Sequence, residues 1–380
     1  MKLIAKTLQG LEPVLAQELQ QLGARDVQIL KRAVQFAGDL RLLYRSNLEL
    51  RSAIRILWPI AAFRARHEDD LYRRIQRTDW SEYLNQRQTL AVDAITYSET
   101  FRHSKYVALK TKDAIVDQFR ERTGRRPSVN VANPDLRINV HIRQNEVTVS
   151  IDSSGESLHK RGYRKETLEA PINEVLAAGI LLRSGWRGER PLIDPMCGSG
   201  TFLVEAAAIA SRAPAQWHRQ QFAFQKWNNF DPQLWQELRE AARAQQIDPP
   251  HAILGFDKSF QSIRVTQRNL EAAGLANHVE VKRRPFEKLV PPAEGGVLVA
   301  NPPYDERLEV DDIEKLYRMI GDRLKQAFTG YEAWIISSNK AAIKSIGLKA
   351  SARVPMFNGA LECRLLHYEL YEGSRKGEGK

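Results

Sequence analysis

A rigid polar segment, Asn301-Pro302-Pro303-Tyr304, follows the apolar run at 297–300. Prolines cannot donate backbone hydrogen bonds to a sheet, so the preceding strand must end there. The side-chain carbonyl of Asn301 and the backbone carbonyl of Pro302 can accept hydrogen bonds from an exocyclic amine, while two prolines keep these acceptors aimed. Tyr304 offers a flat face to an unstacked base, a contact worth about 1–3 kcal/mol. The segment predicts a pocket that binds and activates an aromatic amine; the alternative is a strand-terminating turn without chemistry.

A glycine-containing loop precedes this segment by a hundred residues, in the stretch PLIDPMCGSGTFLVEAA at 191–207. A predicted strand ends at Asp194, and a predicted helix begins near Thr201. Glycines allow the backbone to approach a ligand closely, and the free amides at a helix start favour an anion. An anion site beside a carboxylate suits a zwitterion such as the amino-acid end of a methionine-derived cofactor. The alternatives are a structural turn and, for Cys197, a redox or nucleophilic role instead of that of a small loop residue.

Two further segments could contact the rest of such a cofactor. Asp257 ends the apolar run AILGFD, where a carboxylate is well placed to bind ribose hydroxyls. The alternative for Asp257 is a helix N-cap. Pro285 and Phe286 follow another predicted strand, VEVKRR, and there an adenine ring could lie. The alternative for this pair is ordinary packing.

The elements that must position these residues alternate regularly from about residue 170 onward. Apolar runs of strand length, among them HAILGFD, GVLVANPP and EAWIISS, are separated by helical segments. This order predicts a parallel sheet covered by helices on both faces. Ligands of such sheets bind beyond the carboxyl ends of the strands. The candidate residues all lie at these ends.

The first 155 residues follow a different pattern. Residues 2–63 read as β-α-β-β-α-β, which is the ferredoxin-like order. Residues 64–155 add a helix, an alternating strand, a long basic helix and a hairpin around Gln144-Asn145. The sequence therefore predicts two α/β modules before the parallel sheet.

Composition narrows the partner class. The chain of 380 residues is 43% hydrophobic and carries a net charge of +11. Residues 1–165 contain 29 basic and 19 acidic residues, whereas residues 166–380 contain 28 and 27. A basic first part joined to a near-neutral second part predicts a nucleic-acid grip. We expect its cations in and directly after two predicted helices, at Arg73, Arg74, Arg77, Arg122, Arg125 and Arg126. The alternative is a solvated charged surface.

Localisation follows from what the sequence lacks. The N-terminal residues show no apolar signal region, and no window reaches the roughly 18 apolar residues of a membrane span. Two cysteines, Cys197 and Cys363, suit a reducing compartment. We therefore expect a cytoplasmic protein without a membrane or metal partner.

Several motifs together resemble a known family. DPMCGSGT, GFDKS and NPPYDERL occur in the order and spacing of class I S-adenosylmethionine-dependent amino methyltransferases. With KRGYRKETLEAPINEVLAAGIL before them and MFNGALECRLLHYEL after them, the chain resembles bacterial THUMP-domain guanine-N2 methyltransferases of large-subunit ribosomal RNA. The resemblance implies an α/β chain: a ferredoxin-like domain at 1–60, a THUMP RNA-binding domain at 61–155, a linker at 156–169, a Rossmann-like class I methyltransferase domain at 170–372, and a disordered tail at 373–380.

The resemblance also implies roles for particular residues. The methionine end of S-adenosylmethionine would be held by Asp194, Gly198, Ser199, Gly200 and Thr201, with Arg164 at the cofactor edge. Asp257 would bind the ribose, and residues 301–304 would hold the target base. Members of the family often place an acid against the adenine amine, but here the segment is Arg-Arg-Pro-Phe at 283–286. Backbone groups are then left to make that contact.

The sequence leaves several classes of methyl acceptor open. Methylation at cytosine C5 needs a covalent cysteine, and neither cysteine lies on the loop after 300. The preferred substrate is a guanine of 23S rRNA, free or within an assembling large subunit, flipped out of its stack. Transfer RNA is the next candidate, followed by DNA amino methylation and by a non-catalytic RNA-binding protein. Asp305 is a candidate base, with an exposed loop carboxylate as the favoured interpretation; the oligomeric state stays undetermined.

Overall fold

The computed structural model describes residues 1–168, 171–303 and 310–372; the side chains of residues 310 and 311 are not described. The chain divides into two compact units. The first contains Met1–Thr7, Leu15–Leu158 and Arg219–Glu240. The second contains Leu8–Val14, His159–His218 and the described residues from Ala241 onward.

The first half of the chain forms the predicted elements. In order they are β1 (Lys2–Thr7), α1 (Glu12–Gln21), β2 (Arg25–Leu30), β3 (Ala33–Ala37), α2 (Leu40–Glu49), β4 (Ala53–Arg64), α3 (Glu68–Arg77), β5 (Thr89–Tyr97), α4 (Ser104–Thr123), β6 (Ser128–Val129), β7 (Leu136–Arg143) and β8 (Glu146–Asp152). The ferredoxin-like order of the first six elements is confirmed. The two-residue strand β6 was not predicted, because so short a segment carries no periodicity.

One eight-stranded sheet runs through the first unit, in the order β2-β3-β1-β4-β8-β7-β5-β6. Strand β4 pairs with β1 through its first part, where Ile56 lies opposite Ala5. It pairs with β8 along most of its length, from Leu57 opposite Asp152 to Arg64 opposite Glu146. The predicted boundary at residue 60 therefore falls inside a strand that both N-terminal modules share.

A segment from later in the chain completes the aromatic core of the first unit. Tyr44 of α2 stacks on Phe224 with ring centroids 4.3 Å apart, and Trp235 meets Phe224 edge-on at 5.2 Å. Trp58 of β4 packs near Trp227 at 5.7 Å. Residues 219–240 lie within the predicted range 170–372 but group with the first unit, because their aromatic side chains are buried there.

The second half of the chain alternates strands and helices. The elements are α5 (Glu174–Arg183), β9 (Leu192–Asp194), α6 (Thr201–Ala210), α7 (Pro232–Ala244), β10 (Ile253–Asp257), α8 (Phe260–Ala272), β11 (Glu280–Arg283), β12 (Gly296–Ala300), α9 (Val310–Ala327), β13 (Tyr331–Ser337), α10 (Ala342–Ser345), β14 (Ala352–Asn358) and β15 (Leu361–Glu369). Across the described ranges, none of the helices combines the length and the hydrophobicity that crossing a membrane requires.

The second unit contains a seven-stranded sheet in the order β11-β10-β9-β12-β13-β15-β14. The first five strands of this order pair in parallel, and β15 runs antiparallel to both β13 and β14. All five residues of β12 are buried, as expected for a strand covered on both faces. The sheet order reverses between β9 and β12, which defines a topological switch point.

Candidate active site

The glycine loop and the Asn-Pro-Pro segment follow neighbouring parallel strands. Val297 of β12 lies opposite Leu192 of β9, and Leu298 lies opposite Ile193. Asp194 and Asn301 therefore follow at the same edge of the sheet. This edge is the carboxyl end of both strands at the switch point, where α/β proteins bind their ligands.

The loop between β9 and α6 needs glycine at two positions. Gly198 has φ 54° and Gly200 has φ 80°, so both lie in the left-handed region. A Cβ atom on Gly200 would also approach Cγ2 of Thr266 to 2.7 Å, whereas a Cβ on Gly198 would meet no atom within 4 Å. Gly200 is the N-cap of α6 and supplies no side-chain cap. The first amides of α6 are therefore available to a ligand.

Helix α8 holds the loop in place through two buried polar side chains. The hydroxyl of Thr266 donates to the carbonyl of Gly198 at 2.9 Å. The Nδ2 atom of Asn269 donates to the carbonyl of Ser199 at 2.9 Å. Thr266 is fully buried and Asn269 is 1% exposed. Because the loop carbonyls are bound on the helix side, the loop conformation is fixed before any ligand arrives.

Asn269 also binds the backbone of residues 165–166. Its Oδ1 atom accepts from the amides of Lys165 at 3.0 Å and Glu166 at 3.4 Å. Its Nδ2 atom donates to the carbonyl of Glu166 at 3.1 Å. One buried amide therefore joins the glycine loop to residues 165–166. This joint lies wholly within the second unit.

Asp194 is a carboxyl group in an unfavourable environment. It is 1% exposed and accepts a hydrogen bond from the amide of Met196 at 3.1 Å. Burial raises its pKa to about 8, and the charge of Asp257 acts in the same direction, while the Met196 amide opposes them. A cationic ammonium group placed beside Asp194 would compensate the buried charge. The site therefore fits the amino group of a methionine-derived cofactor.

Asp257 is bound by backbone amides through both oxygens. Its Oδ1 accepts from the amide of Ser259 at 2.8 Å, and its Oδ2 accepts from the amide of Gly198 at 3.0 Å. The N-cap of α8 is Ser259, whose side chain accepts from the amide of Ser262. Asp257 therefore does not serve as the cap; it links β10 to the glycine loop. Each oxygen keeps acceptor capacity, so ribose binding stays a prediction.

Arg164, which the resemblance implied to be at the cofactor edge, contacts the first residue of α6. Its Nη2 atom donates to the hydroxyl of Thr201 at 3.0 Å and to the carbonyl of Ile172 at 2.9 Å. Its Nε atom pairs with Glu174 at 3.0 Å, and both side chains are largely buried. These contacts make Arg164 a support for the first residue of α6. Contact with the cofactor itself stays a prediction.

The remaining candidates are placed differently from one another. Asn301 is partly exposed, Pro302 is buried and Pro303 is exposed, while Tyr304 and Asp305 lie outside the described residues. Pro285 is partly exposed. Phe286 is 3% exposed and packs against Phe328 with ring centroids 5.5 Å apart. The side chain of Phe286 is thus part of the core, and any adenine contact at 285–286 would involve Pro285 or backbone atoms.

Cys197 behaves as a small loop residue. It is buried, and its amide donates to the carbonyl of Phe256 at 2.9 Å. Burial and, secondarily, the Asp194 charge raise the pKa of its thiol. A protonated, buried thiol is a poor nucleophile.

Thr266 and Asn269 were missed by sequence reasoning. Both lie in the predicted helix after Asp257, spaced three residues apart, so that they share one face. Polar residues in an amphipathic helix are normally assigned to its solvent side. The signal that could have identified them is their position on the apolar stripe that contains Ile263 and Leu270.

The raised pKa of Asp194 predicts a pH-dependent cost to folding. Its folded pKa lies above the unfolded value of about 3.9, so the folded chain holds the proton more tightly. Stability therefore falls as pH rises from about 4 to 8 and levels off above that. Asp194→Asn should remove this pH dependence. The free energy of unfolding of the variant, relative to that of wild type, should therefore increase as the pH rises. Urea unfolding at several pH values, without cofactor, measures this free energy, and Asp322→Asn at an exposed position is the control. If wild type and the Asp194 variant differ by the same amount at every pH, the raised pKa of Asp194 is contradicted.

The two-sided binding by Asn269 predicts a positioning role. Asn269→Asp keeps the acceptor but places oxygen against the Ser199 carbonyl, costing about 1–3 kcal/mol of stability. We expect affinity for S-adenosylhomocysteine, measured by calorimetry, to fall at least about tenfold, which corresponds to about 1.4 kcal/mol. Gln267→Glu on the exposed side of α8 changes charge equally and is the control. Lost stability with unchanged affinity would limit Asn269 to a folding role.

Three family models match consecutive parts of the chain. The RlmL ferredoxin-like domain matches residues 2–57, and the THUMP domain matches residues 65–152. The RMKL-like methyltransferase domain matches residues 161–367. The gap between the first two ranges falls within β4, and the third range contains the switch point of the second unit.

Whole-chain relatives agree with these matches. A protein of Synechocystis sp. that bears an RNA-methyltransferase name is 43% identical over 97% of this chain and 96% of its own length. The ribosomal RNA large subunit methyltransferase K/L of Syntrophotalea carbinolica is 42% identical over 98% of this chain. The chain spans about half the length of the K/L relatives it matches.

A solved structure supports both the fold and the cofactor. SMU.472, described as a methyltransferase complexed with SAH, has a TM-score of 0.89 and 31% identity, covering 98% of this chain and 99% of that one. The predicted Rossmann-like methyltransferase fold and the predicted S-adenosylmethionine cofactor are confirmed. The chain belongs to the RMKL-like family of S-adenosylmethionine-dependent methyltransferases, with RlmL ferredoxin-like and THUMP domains ahead of the catalytic domain.

Proposed function

We propose that this protein methylates the exocyclic N2 amine of a guanine in 23S ribosomal RNA, after the base has been flipped into a pocket formed by residues 301–304. The observation that carries the proposal is the pairing of β9 with β12. It brings the ends of two strands together, one leading into an anion-binding glycine loop and the other into rigid hydrogen-bond acceptors. A methyl donor and an amine acceptor at one sheet edge are the two components that amino methylation requires.

S-adenosylmethionine, when bound, supplies an electrophilic methyl group on a sulfonium. Asp194 and the first amides of α6 would hold the ammonium and carboxylate of its methionine end. The side-chain carbonyl of Asn301 and the backbone carbonyl of Pro302 would accept hydrogen bonds from the guanine amine. These bonds would localise the nitrogen lone pair and direct it at the methyl group that the cofactor would supply. The proton that the amine must lose would pass to water.

Positioning accounts for most of the expected rate enhancement. No covalent intermediate is needed, and aligning two reactants can supply several kcal/mol of the barrier. Pro302 is buried and is separated from the fully buried strand β12 only by Asn301. This rigid connection would fix the direction of the acceptor groups. A guanine within a paired helix would have to be flipped out, because pairing and stacking keep its amine from entering a pocket formed by residues 301–304.

The choice of ribosomal RNA rests on the relatives and on the N-terminal charge. Relatives named large subunit methyltransferase K/L match 95–98% of this chain. The excess of basic over acidic residues in 1–165 suits a polyanion. The same chemistry on transfer RNA is the alternative, since THUMP domains also occur in transfer RNA enzymes.

The substrate is tested by nucleoside analysis. Purified protein with isotope-labelled S-adenosylmethionine should place label in N2-methylguanosine when incubated with unmodified 23S rRNA, detected by mass spectrometry. Bulk transfer RNA and double-stranded DNA are the comparison substrates. Label chiefly in transfer RNA would refute ribosomal RNA as the substrate, and label in N6-methyladenine would refute guanine as the base. Label in none of the substrates would refute the enzymatic activity.

The role of Asn301 is tested by Asn301→Ala. Loss of one preorganised hydrogen-bonding group typically lowers kcat by about 10²–10³-fold. We expect that loss with unchanged affinity for S-adenosylhomocysteine, because Asn301 follows β12 and lies outside the glycine loop that would hold the cofactor. Asn277→Ala, an exposed position in the same unit, is the matched control. Wild-type turnover in the Asn301 variant would remove its proposed role.

A further inference from the structure

One face of the eight-stranded sheet carries a band of basic side chains. Strand β7 shows the arrangement most clearly, because Leu136, Ile138, Val140 and Ile142 are buried while the alternate residues are partly or fully exposed. The two sets lie on opposite faces of the sheet. We call the face with the exposed set the cationic face. Its basic residues are Lys6 of β1, Arg55 of β4, and Arg137, His141 and Arg143 of β7.

The strand register places these residues on one side of the sheet. Lys6 lies directly opposite Arg55 across the β1–β4 pair. Across the β5–β7 pair, Ile95 lies opposite His141 and Tyr97 opposite Arg143. From β1 to β5 there are four strand spacings, or about 19 Å at about 4.8 Å each. The face therefore extends over both N-terminal modules.

The acidic residues of this face are already occupied. Asp152 pairs with Arg55, and Asp93 pairs with Arg137 at 2.9 Å. Glu146 pairs with Arg64 at 3.2 Å. These three pairs leave the remaining cations of the face without compensation.

Lys6 and Arg143 have no carboxylate partner within ranges 1–168, 171–303 and 310–372. Burial and, next, the charge of Arg32 lower the pKa of Lys6. Burial, then Lys6 and Arg143, lower the pKa of His141. Lys6 and Arg143 thus disfavour a positive charge on His141, and a polyanion bound to the face would reduce that effect.

The edge of the cationic face offers aromatic and apolar surface. Tyr97 is 66% exposed, and its ring centroid lies 5.9 Å from that of His141. Ile95, the neighbouring residue on the same face of β5, is 41% exposed. An exposed aromatic ring beside cations is the combination on which unpaired bases stack while their phosphates bind the basic groups.

We propose that the cationic face binds unpaired nucleotides of the RNA substrate, an inference that rests on the proposed function and locates the contact within the first unit. Charge complementarity and the exposed Tyr97 favour RNA over a protein partner. Of the arginines expected from the sequence, two are less available, since Arg73 pairs with Asp70 at 3.1 Å and Arg122 pairs with Asp79 at 2.7 Å.

A pair of variants with equal charge change separates a local effect from an effect of net charge. Lys6→Gln combined with Arg143→Gln removes two cations from the cationic face. Arg87→Gln combined with Lys105→Gln removes two exposed cations that lie outside the strands and serves as the matched control. Binding to a 23S rRNA transcript is measured by filter retention over a salt series, with circular dichroism to verify folding. Tyr97→Ala is tested alongside as a variant without charge change.

We expect the cationic-face variant to bind at least about tenfold more weakly and to lower the salt slope by about two, while the control changes little. Tyr97→Ala should weaken binding without altering the salt slope. Equal losses in both double variants, or a larger loss in the control, would overturn the proposal. If wild type binds 23S rRNA no better than a neutral protein, the proposed function itself fails.

Discussion

The parallel pairing of β9 with β12 is the constraint on which the catalytic unit depends. Neighbouring parallel strands end at the same edge of a sheet. The residues that follow them therefore lie close together in space even when they are far apart in the sequence. Asp194 and Asn301 are more than a hundred residues apart in the chain yet follow adjacent strands. A one-residue slip of β12 would exchange its side chains between two covered faces, and the close packing on each face opposes that exchange.

A second consequence of this geometry is electrostatic. Strand β9 is only three residues long and ends with a carboxyl group that is almost fully buried. Keeping that group inside the protein opposes folding unless a proton or a cation accompanies it. The nearby amides of Met196 and Gly198 are directed at the carboxylates of Asp194 and Asp257, respectively. The loop is thus stabilised by backbone amides, and a cationic group of a ligand beside Asp194 would stabilise it further.

Much of this architecture could be predicted from the sequence, for identifiable reasons. Apolar runs of strand length and closely spaced glycines are signals that can be read locally in the sequence. They located Asp194, Gly198, Gly200 and the strand before Asn301. Asn269 could not be located in this way, because its role depends on which face of α8 meets the loop. The path of β4 through two modules, and the packing of residues 219–240 with the first unit, likewise arise from tertiary pairing. The resemblance to a family supplied the cofactor and the substrate class, which patterning alone left open.

The twelve-residue strand β4 also decides how the N-terminal half can be divided. Its pairing partners β1 and β8 lie on either side of it, so its backbone groups are satisfied by both modules at once. Severing the chain near residue 60 would leave unpaired strand edges on each fragment, and such edges are templates for aggregation. The ferredoxin-like and THUMP segments therefore match two different family models but share one sheet, and we expect them to fold together.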